Sequence, residues 1–326
     1  MVPAGVFRRL LILAAVVVLV AVAADVRVAF GSQRITVTGR RVMLGVLGGR
    51  ERFDQLTGQR TVVGHVIAGW GQGPVTQILD GLGEVPMLGI NAGGSPTPQG
   101  IARGQGDAFL AELNHAVAAR SGLVYIRPLP EMNGHWNAYC AYNADGSSRG
   151  PADSTTAFRK AFARIYLIVH GGPLSVVDAK LRSLGLPPSR TGDLATNPVS
   201  RVQVVWNPQG FGSPDVSGNS AAACYPGDAY VDVVADDLYN IGGKAEWGAN
   251  ESLYAAHPNK PYAIAEWANW GFDDPGFVAA MATFVRTHPR VVLLAYYNGR
   301  PGSPFDIAGQ PRSRAAYRQL IDPLGR

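Results

Sequence analysis

From about residue 41 onward, short and almost wholly apolar runs alternate with longer stretches in which apolar residues recur every three or four positions. The short runs are Val42–Val46, Val62–Ile67, Pro86–Ile90, Leu123–Leu129, Val202–Trp206, Val231–Ala235, Tyr262–Glu266 and Val291–Tyr296. Near-continuous apolarity over so few residues is the signature of parallel strands covered on both faces. Between them, Gln105–Arg120 sets Phe109, Leu110, Leu113 and Val117 at helical spacing, and Thr155–His170 does the same with Phe158, Phe162, Ile165 and Val169. Asp153 or Ser154 is placed to cap the second of these. Pro275–His288 opens with a proline in its first turn, and Arg312–Leu320 closes the chain. Eight strands alternating with helices predict one (β/α)₈ barrel over residues 41–326. A doubly wound sheet is the alternative, but Gly45, Gly48 and Gly49 after the first run do not form GxGxxG. Gly171–Asn197, rich in Gly, Pro and Ser, reads as an excursion between a helix and the fifth strand.

The first 40 residues follow another pattern. Arg8 and Arg9 precede Leu10–Ala24, a run without a charged or polar residue, and Ala21-Val22-Ala23 offers a small-x-small cleavage site. Residues 1–24 therefore read as a secretory signal, with an uncleaved membrane anchor as the alternative, and residues 25–40 as a polar linker. A secreted or cell-surface location and a monomer are expected. Without the signal the net charge falls from +5 to about +3, and no Lys/Arg run exists, which argues against nucleic-acid binding. Cys140 and Cys224 are the two cysteines, and in an exported chain they are expected to pair as a disulfide.

The chemistry collects where the strands end. Leu123–Leu129 runs into Glu131, Asn133, His135 and Trp136; the fifth strand ends in Trp206-Asn207; the sixth leads to Asp236, Asp237 and Tyr239; the seventh ends in Glu266-Trp267 with Trp270 beyond; the eighth ends in Tyr296-Tyr297-Asn298. A barrel gathers these ends around one mouth. Read with period 2, Arg127, Leu129 and Glu131 share a strand face, which places a cation near an acid. Aromatic faces suit the C–H faces of sugars, and Asn, Asp, Glu and His suit their hydroxyls. Two glutamates ending the fourth and seventh strands are the pair a retaining glycosidase needs, about 5–5.5 Å apart. The six histidines form no HxxxH or HExxH pair and no GxSxG occurs, so neither a metal nor any other cofactor is called for.

These segments resemble glycoside hydrolase family 26, a family of β-mannanases with some xylanases and lichenases. The resemblance runs over most of the chain after Arg41. It is carried by Arg127-Pro128-Leu129 with Glu131-Met132-Asn133-Gly134-x-Trp136, by Val205-Trp206-Asn207-Pro208, by Tyr225-Pro226-Gly227-Asp228 with Asp237-x-Tyr239, and by Lys260-Pro261 through Ala265-Glu266. It implies a β-linked polysaccharide as substrate, Glu131 as acid/base and Glu266 as nucleophile. Arg127, Asn133, His135, Trp136, Trp206, Tyr239, Trp267, Trp270 and Tyr297 would bind the sugar chain. The sequence departs from the family where Pro130 replaces the usual His before the acid/base, where Tyr139 replaces a second Trp, and where Tyr297-Asn298 stands in place of a Trp. Two rivals share these features: a carbohydrate-binding barrel without turnover, and an anchored scaffold for wall polymers.

Overall fold

The computed structural model describes residues 41–326; the signal and linker readings on residues 1–40 lie outside the described residues. Eight parallel strands close into a barrel in chain order, with β8 returning to β1. They are β1 (Met43–Gly48), β2 (Val63–Gly69), β3 (Val85–Asn91), β4 (Val124–Pro128), β5 (Val202–Trp206), β6 (Val233–Ile241), β7 (Tyr262–Trp270) and β8 (Val291–Asn298). The sequence therefore locates all eight. It cuts β6 and β7 short by several residues, because their upper halves carry Asp236, Asp237, Asn240, Glu266 and Asn269 in place of apolar residues.

The expected helices are present as α4 (Asp107–Ala118), α5 (Thr155–His170), α9 (Pro275–Thr287) and α10 (Pro311–Leu320). Ser154 caps α5 by accepting from the Ala157 amide, and Asp274 caps α9 by accepting from the Gly276 amide. The structure adds α1 (Arg50–Thr57), α2 (Val75–Gly81), α3 (Pro98–Ala102), α6 (Leu174–Ser183), α7 (Ala221–Cys224) and α8 (Trp247–Ala256). α6 lies within the excursion and buries only Val177 and Leu181, too few apolar positions to announce a helix.

Two cores result. Met43, Val63, Met87, Tyr125, Val205, Val233, Ala263, Ala265 and Leu293 fill the barrel interior. The larger cluster joins the outward strand faces to the helices. Parity along each strand decides which core a side chain joins: Val205 enters the interior and Trp206 the outer layer. β7 breaks this alternation. Against β6, Ile264 pairs with Asp236 but Glu266 pairs with Asp237; against β8, Ile264 pairs with Leu294 but Trp267 with Tyr296. β7 thus holds one extra residue on both sides, a bulge at Ala265.

The expected disulfide is absent: Cys140 and Cys224 are separate buried thiols. Cys140 Sγ lies 3.5 Å from the Asn219 side-chain oxygen, and Cys224 ends α7. Burial pushes both thiols up, Cys224 to about 12 with a smaller contribution from Cys140. Each behaves as a small apolar residue in a core that holds both loops without a bridge.

Candidate active site

The bulge at Ala265 aims the nucleophile candidate. Strict alternation after Ala263 and Ala265 would turn Glu266 outward; the extra residue turns it into the mouth. There Glu266 is nearly buried and accepts from Arg127 Nη1 and, at 2.6 Å, from the Tyr239 hydroxyl. Arg127 is fully enclosed; its other terminal nitrogen binds Asp237 and its Nε donates to Asn207 Oδ1 at 2.7 Å. Burial opposes the guanidinium charge, but Asp237 and Glu266 more than compensate and hold Arg127 cationic. Tyr239 stays protonated because burial and the Glu266 charge push its hydroxyl far up.

Glu131 arrives differently. β4 ends at Pro128, and Leu129 and Glu131 both have left-handed backbones, with φ of +50° and +53°. Strand alternation therefore stops before the acid. Leu129 turns into the outer core and does not share the face of Arg127, which corrects the period-2 reading. The Glu131 carboxylate accepts from Trp136 Nε1 at 2.6 Å and from Gln209 Nε2. Trp136 can fold back because residue 134 is glycine: a Cβ there would lie 2.4 Å from the indole ring. Burial, then the Glu266 charge, raise the Glu131 carboxyl above its ordinary range, while the indole donor and Arg127 oppose the rise.

Glu131 and Glu266 line one cavity of about 680 Å³. Trp136, Phe211, Tyr239, Trp270, Tyr297 and Phe305 supply its aromatic walls. Trp136 and Trp270 are about half exposed, as a sugar platform requires. Tyr239, Trp270, Tyr297 and Phe305 touch ring to ring along one wall.

Five of the expected contact residues lie elsewhere. Trp206 is fully buried against Tyr225 and His257, and Trp267 is fully buried against Tyr317 and Tyr296. Each follows or precedes an inward residue on its strand, Asn207 and Glu266, so parity turns it outward. Asn133 is buried and exchanges hydrogen bonds with the Gln209 backbone, which places Gln209 against Glu131. His135 bonds Ser213 and packs edge-on to Trp136, beside the cavity. Arg127 is fully enclosed, is absent from the cavity lining, and meets Glu266 and Asp237.

Gln209, Phe211, Phe305, Ile241 and Lys244 line the cavity without having been anticipated. For the last two a signal existed. Gly242-Gly243 is a hairpin dipeptide, and both residues have positive φ, folding Lys244 back onto Ile241 through paired backbone bonds.

Asp236 also faces the cavity. It is buried, accepts from the amides of Gly210 and Asp237, and burial pushes its carboxyl up to about 7 from 3.8. A raised carboxyl favours the folded state at low pH, and that stability is lost as pH rises from about 4 to about 7. The full difference is about 4 kcal/mol. Asp236→Asn keeps an acceptor for both amides and is expected to raise the thermal midpoint at pH 8 while leaving it nearly unchanged at pH 4. Equal midpoints of variant and parent at both pH values would show that Asp236 does not carry this linkage.

Among the described residues no group of three or more His, Cys, Asp or Glu could hold a metal ion. Fold and cleft together define a (β/α)₈ barrel whose C-terminal mouth carries paired glutamates between aromatic walls. In fold, the barrel is similar to solved enzymes of glycoside hydrolase family 26. A family 26 β-mannanase from Bacteroides ovatus superposes with a TM-score of 0.58 at 14% identity, over 89% of this chain and 91% of its own. A mannanase from Bacillus subtilis gives 0.56 at 17%, over 87% and 86%. Endoglucanase H of Acetivibrio thermocellus is 24% identical over 288 residues, 82% of this chain. The chain spans 28% of that protein's length. No family model matches.

Proposed function

We propose that the chain is a secreted β-glycoside hydrolase that cleaves a β-linked polysaccharide, mannan or a related glucan or xylan, with retention of configuration. The observation that carries this reading is the division of labour between two glutamates in one cavity. Glu266 accepts from two donors, Arg127 and Tyr239, which fix the direction of a carboxyl that would attack an anomeric carbon. Glu131 is raised, the condition for an acid that protonates the leaving oxygen and then takes a proton from water. The fold likeness to mannanases and the relation to an endoglucanase support a polysaccharide substrate. Trp136 and Trp270 would carry the sugar rings, and export follows from residues 1–24.

The test is hydrolysis of β-mannans, β-glucans, xylans and galactans by the purified protein, with the product anomer followed by NMR. Release of the β-anomer first supports the reading; the α-anomer first, or no cleavage of any β-glycan, overturns it. Because Glu131 must be protonated to act, kcat/KM is expected to fall as pH rises through its raised pKa. That alkaline limb should therefore lie above 4.5, the ordinary carboxyl value, and should vanish in Glu131→Ala on aryl glycosides.

A further inference from the structure

A residue with a side chain keeps a left-handed backbone only where its surroundings impose it. At Glu131 the surroundings are specific. The Tyr139 hydroxyl donates to the Pro130 carbonyl at 2.7 Å. The Asn137 side-chain amide donates to the same carbonyl at 3.3 Å and to the Glu131 carbonyl at 3.0 Å. The Glu131 amide donates to the Asn207 carbonyl at 2.7 Å, and the Gly134 amide returns to the Glu131 carbonyl at 2.9 Å. Arg149 anchors the strap that carries these groups, donating to the carbonyls of Asn137 and His135 at 2.5 and 2.6 Å. The Pro130–Glu131 peptide is thus held at both ends, its carbonyl by Tyr139 and Asn137 and its amide by the Asn207 carbonyl, and the two side chains fix the rotation of the peptide about that amide bond to Asn207.

We propose that Tyr139 and Asn137 are positioning residues that set the direction in which the Glu131 carboxyl leaves the backbone. Neither lines the cavity, and Tyr139 is fully buried. Trp136 and Gln209 restrain the carboxyl at its tip, whereas Tyr139 and Asn137 restrain the peptide at its base. Releasing the base lets the Pro130–Glu131 peptide rotate, and rotation there swings the carboxyl away from the leaving oxygen. Proton transfer requires hydrogen-bond reach, so a displacement near 1 Å is enough to suppress it. The hydrogen bonds of the clamp act on the Glu131 backbone, whereas Glu266 is held by hydrogen bonds from Arg127 and Tyr239. A buried tyrosine that only needs an acceptor would instead affect the fold as a whole.

The effect on turnover rests on the reading of Glu131 as acid/base. Tyr139→Phe and Asn137→Ala are compared with Glu131→Ala on the cleaved glycan and on an aryl glycoside with a good leaving group. Expected is a fall of kcat/KM on the glycan by roughly tenfold or more and a change within about twofold in kcat/KM on the aryl glycoside, since kcat/KM reports the step in which the leaving group departs and a good one needs no proton. Equal losses on both substrates, or none on either, overturn the proposal. Carbon-13 NMR titration of the Glu131 carboxyl, assigned by its loss in Glu131→Ala, reads the clamp without turnover. A displaced titration in the two variants is expected, and one superimposable on the parent's overturns it. Should Glu131→Ala itself show no dependence on the leaving group, the acid/base reading fails, and the titration still decides the clamp. Asn137 is only half-buried, so Asn137→Ala decides the matter if Tyr139→Phe does not fold.

Discussion

Glu266→Ala is expected to lose activity on every substrate, on the order of 10⁴-fold or more, because under the proposed mechanism no glycosyl-enzyme forms without it. Glu131→Ala is expected to fail selectively. A natural glycan leaves as a poor alkoxide and needs the proton that Glu131 supplies, whereas an activated aryl group leaves without it. Glu131→Ala should therefore retain more activity on aryl glycosides than on glycan. Azide should accelerate its second step by attacking where base-assisted water no longer can. In Glu266→Ala, azide should enter the space of the lost carboxylate and give the inverted glycosyl azide. These outcomes follow from the surroundings: Glu266 lies between Arg127 and Tyr239, and Glu131 between Trp136 and Gln209. Full activity of Glu131→Ala on the glycan would remove it from the acid/base role, and Asp236 and Asp237, in the same cavity, would be examined next.

Arg127→Leu is expected to be the most destabilising single change at the mouth. The guanidinium is fully enclosed and meets both Glu266 and Asp237. Its removal leaves two nearly buried carboxylates without a counter-charge, which typically costs about 3–5 kcal/mol, or roughly 6–20 °C in thermal midpoint for a domain of this size. The sign of the pH dependence is fixed. Burial already pushes the Asp237 carboxyl up and Arg127 opposes that rise, so without Arg127 it rises further in the folded state, and the deficit should be small near pH 4 and grow as pH increases. Calorimetry at pH 4 and pH 8 separates this from simple loss of packing, which would give the same deficit at both.

Most of the barrel can be read from the sequence because parallel strands covered on both faces are apolar runs. Glu131, Glu266, Trp136, Tyr239, Trp270 and Tyr297 are legible for a related reason, since a barrel sends every strand end to one mouth. The errors share a cause as well. Position at a strand end places Trp206 and Trp267 at the mouth in the sequence, but adjacent strand residues face opposite ways, and both indoles join the outer core. Knowing that Asn207 and Glu266 point inward would have been enough to exclude them. The base of Glu131 is a different case: no periodicity foretells two left-handed residues flanking a proline. Gln209 is also silent in the sequence, because it is set against Glu131 by backbone bonds to Asn133, 76 positions away.

The bulge at Ala265 separates two jobs within a single strand. Below it, β7 keeps the phase of β6, with Ala263 opposite Ala235 and Ile264 opposite Asp236; above it the phase has moved by one, with Glu266 opposite Asp237. The lower segment answers to the tight, small-residue interior that closes the cylinder. The upper segment answers to the cleft. Because the two are decoupled by one inserted residue, the sequence that seals the barrel places no parity constraint on the sequence that faces the substrate. Selection can act on the rim of this strand as though it were a loop, while the rim keeps the rigidity of a sheet.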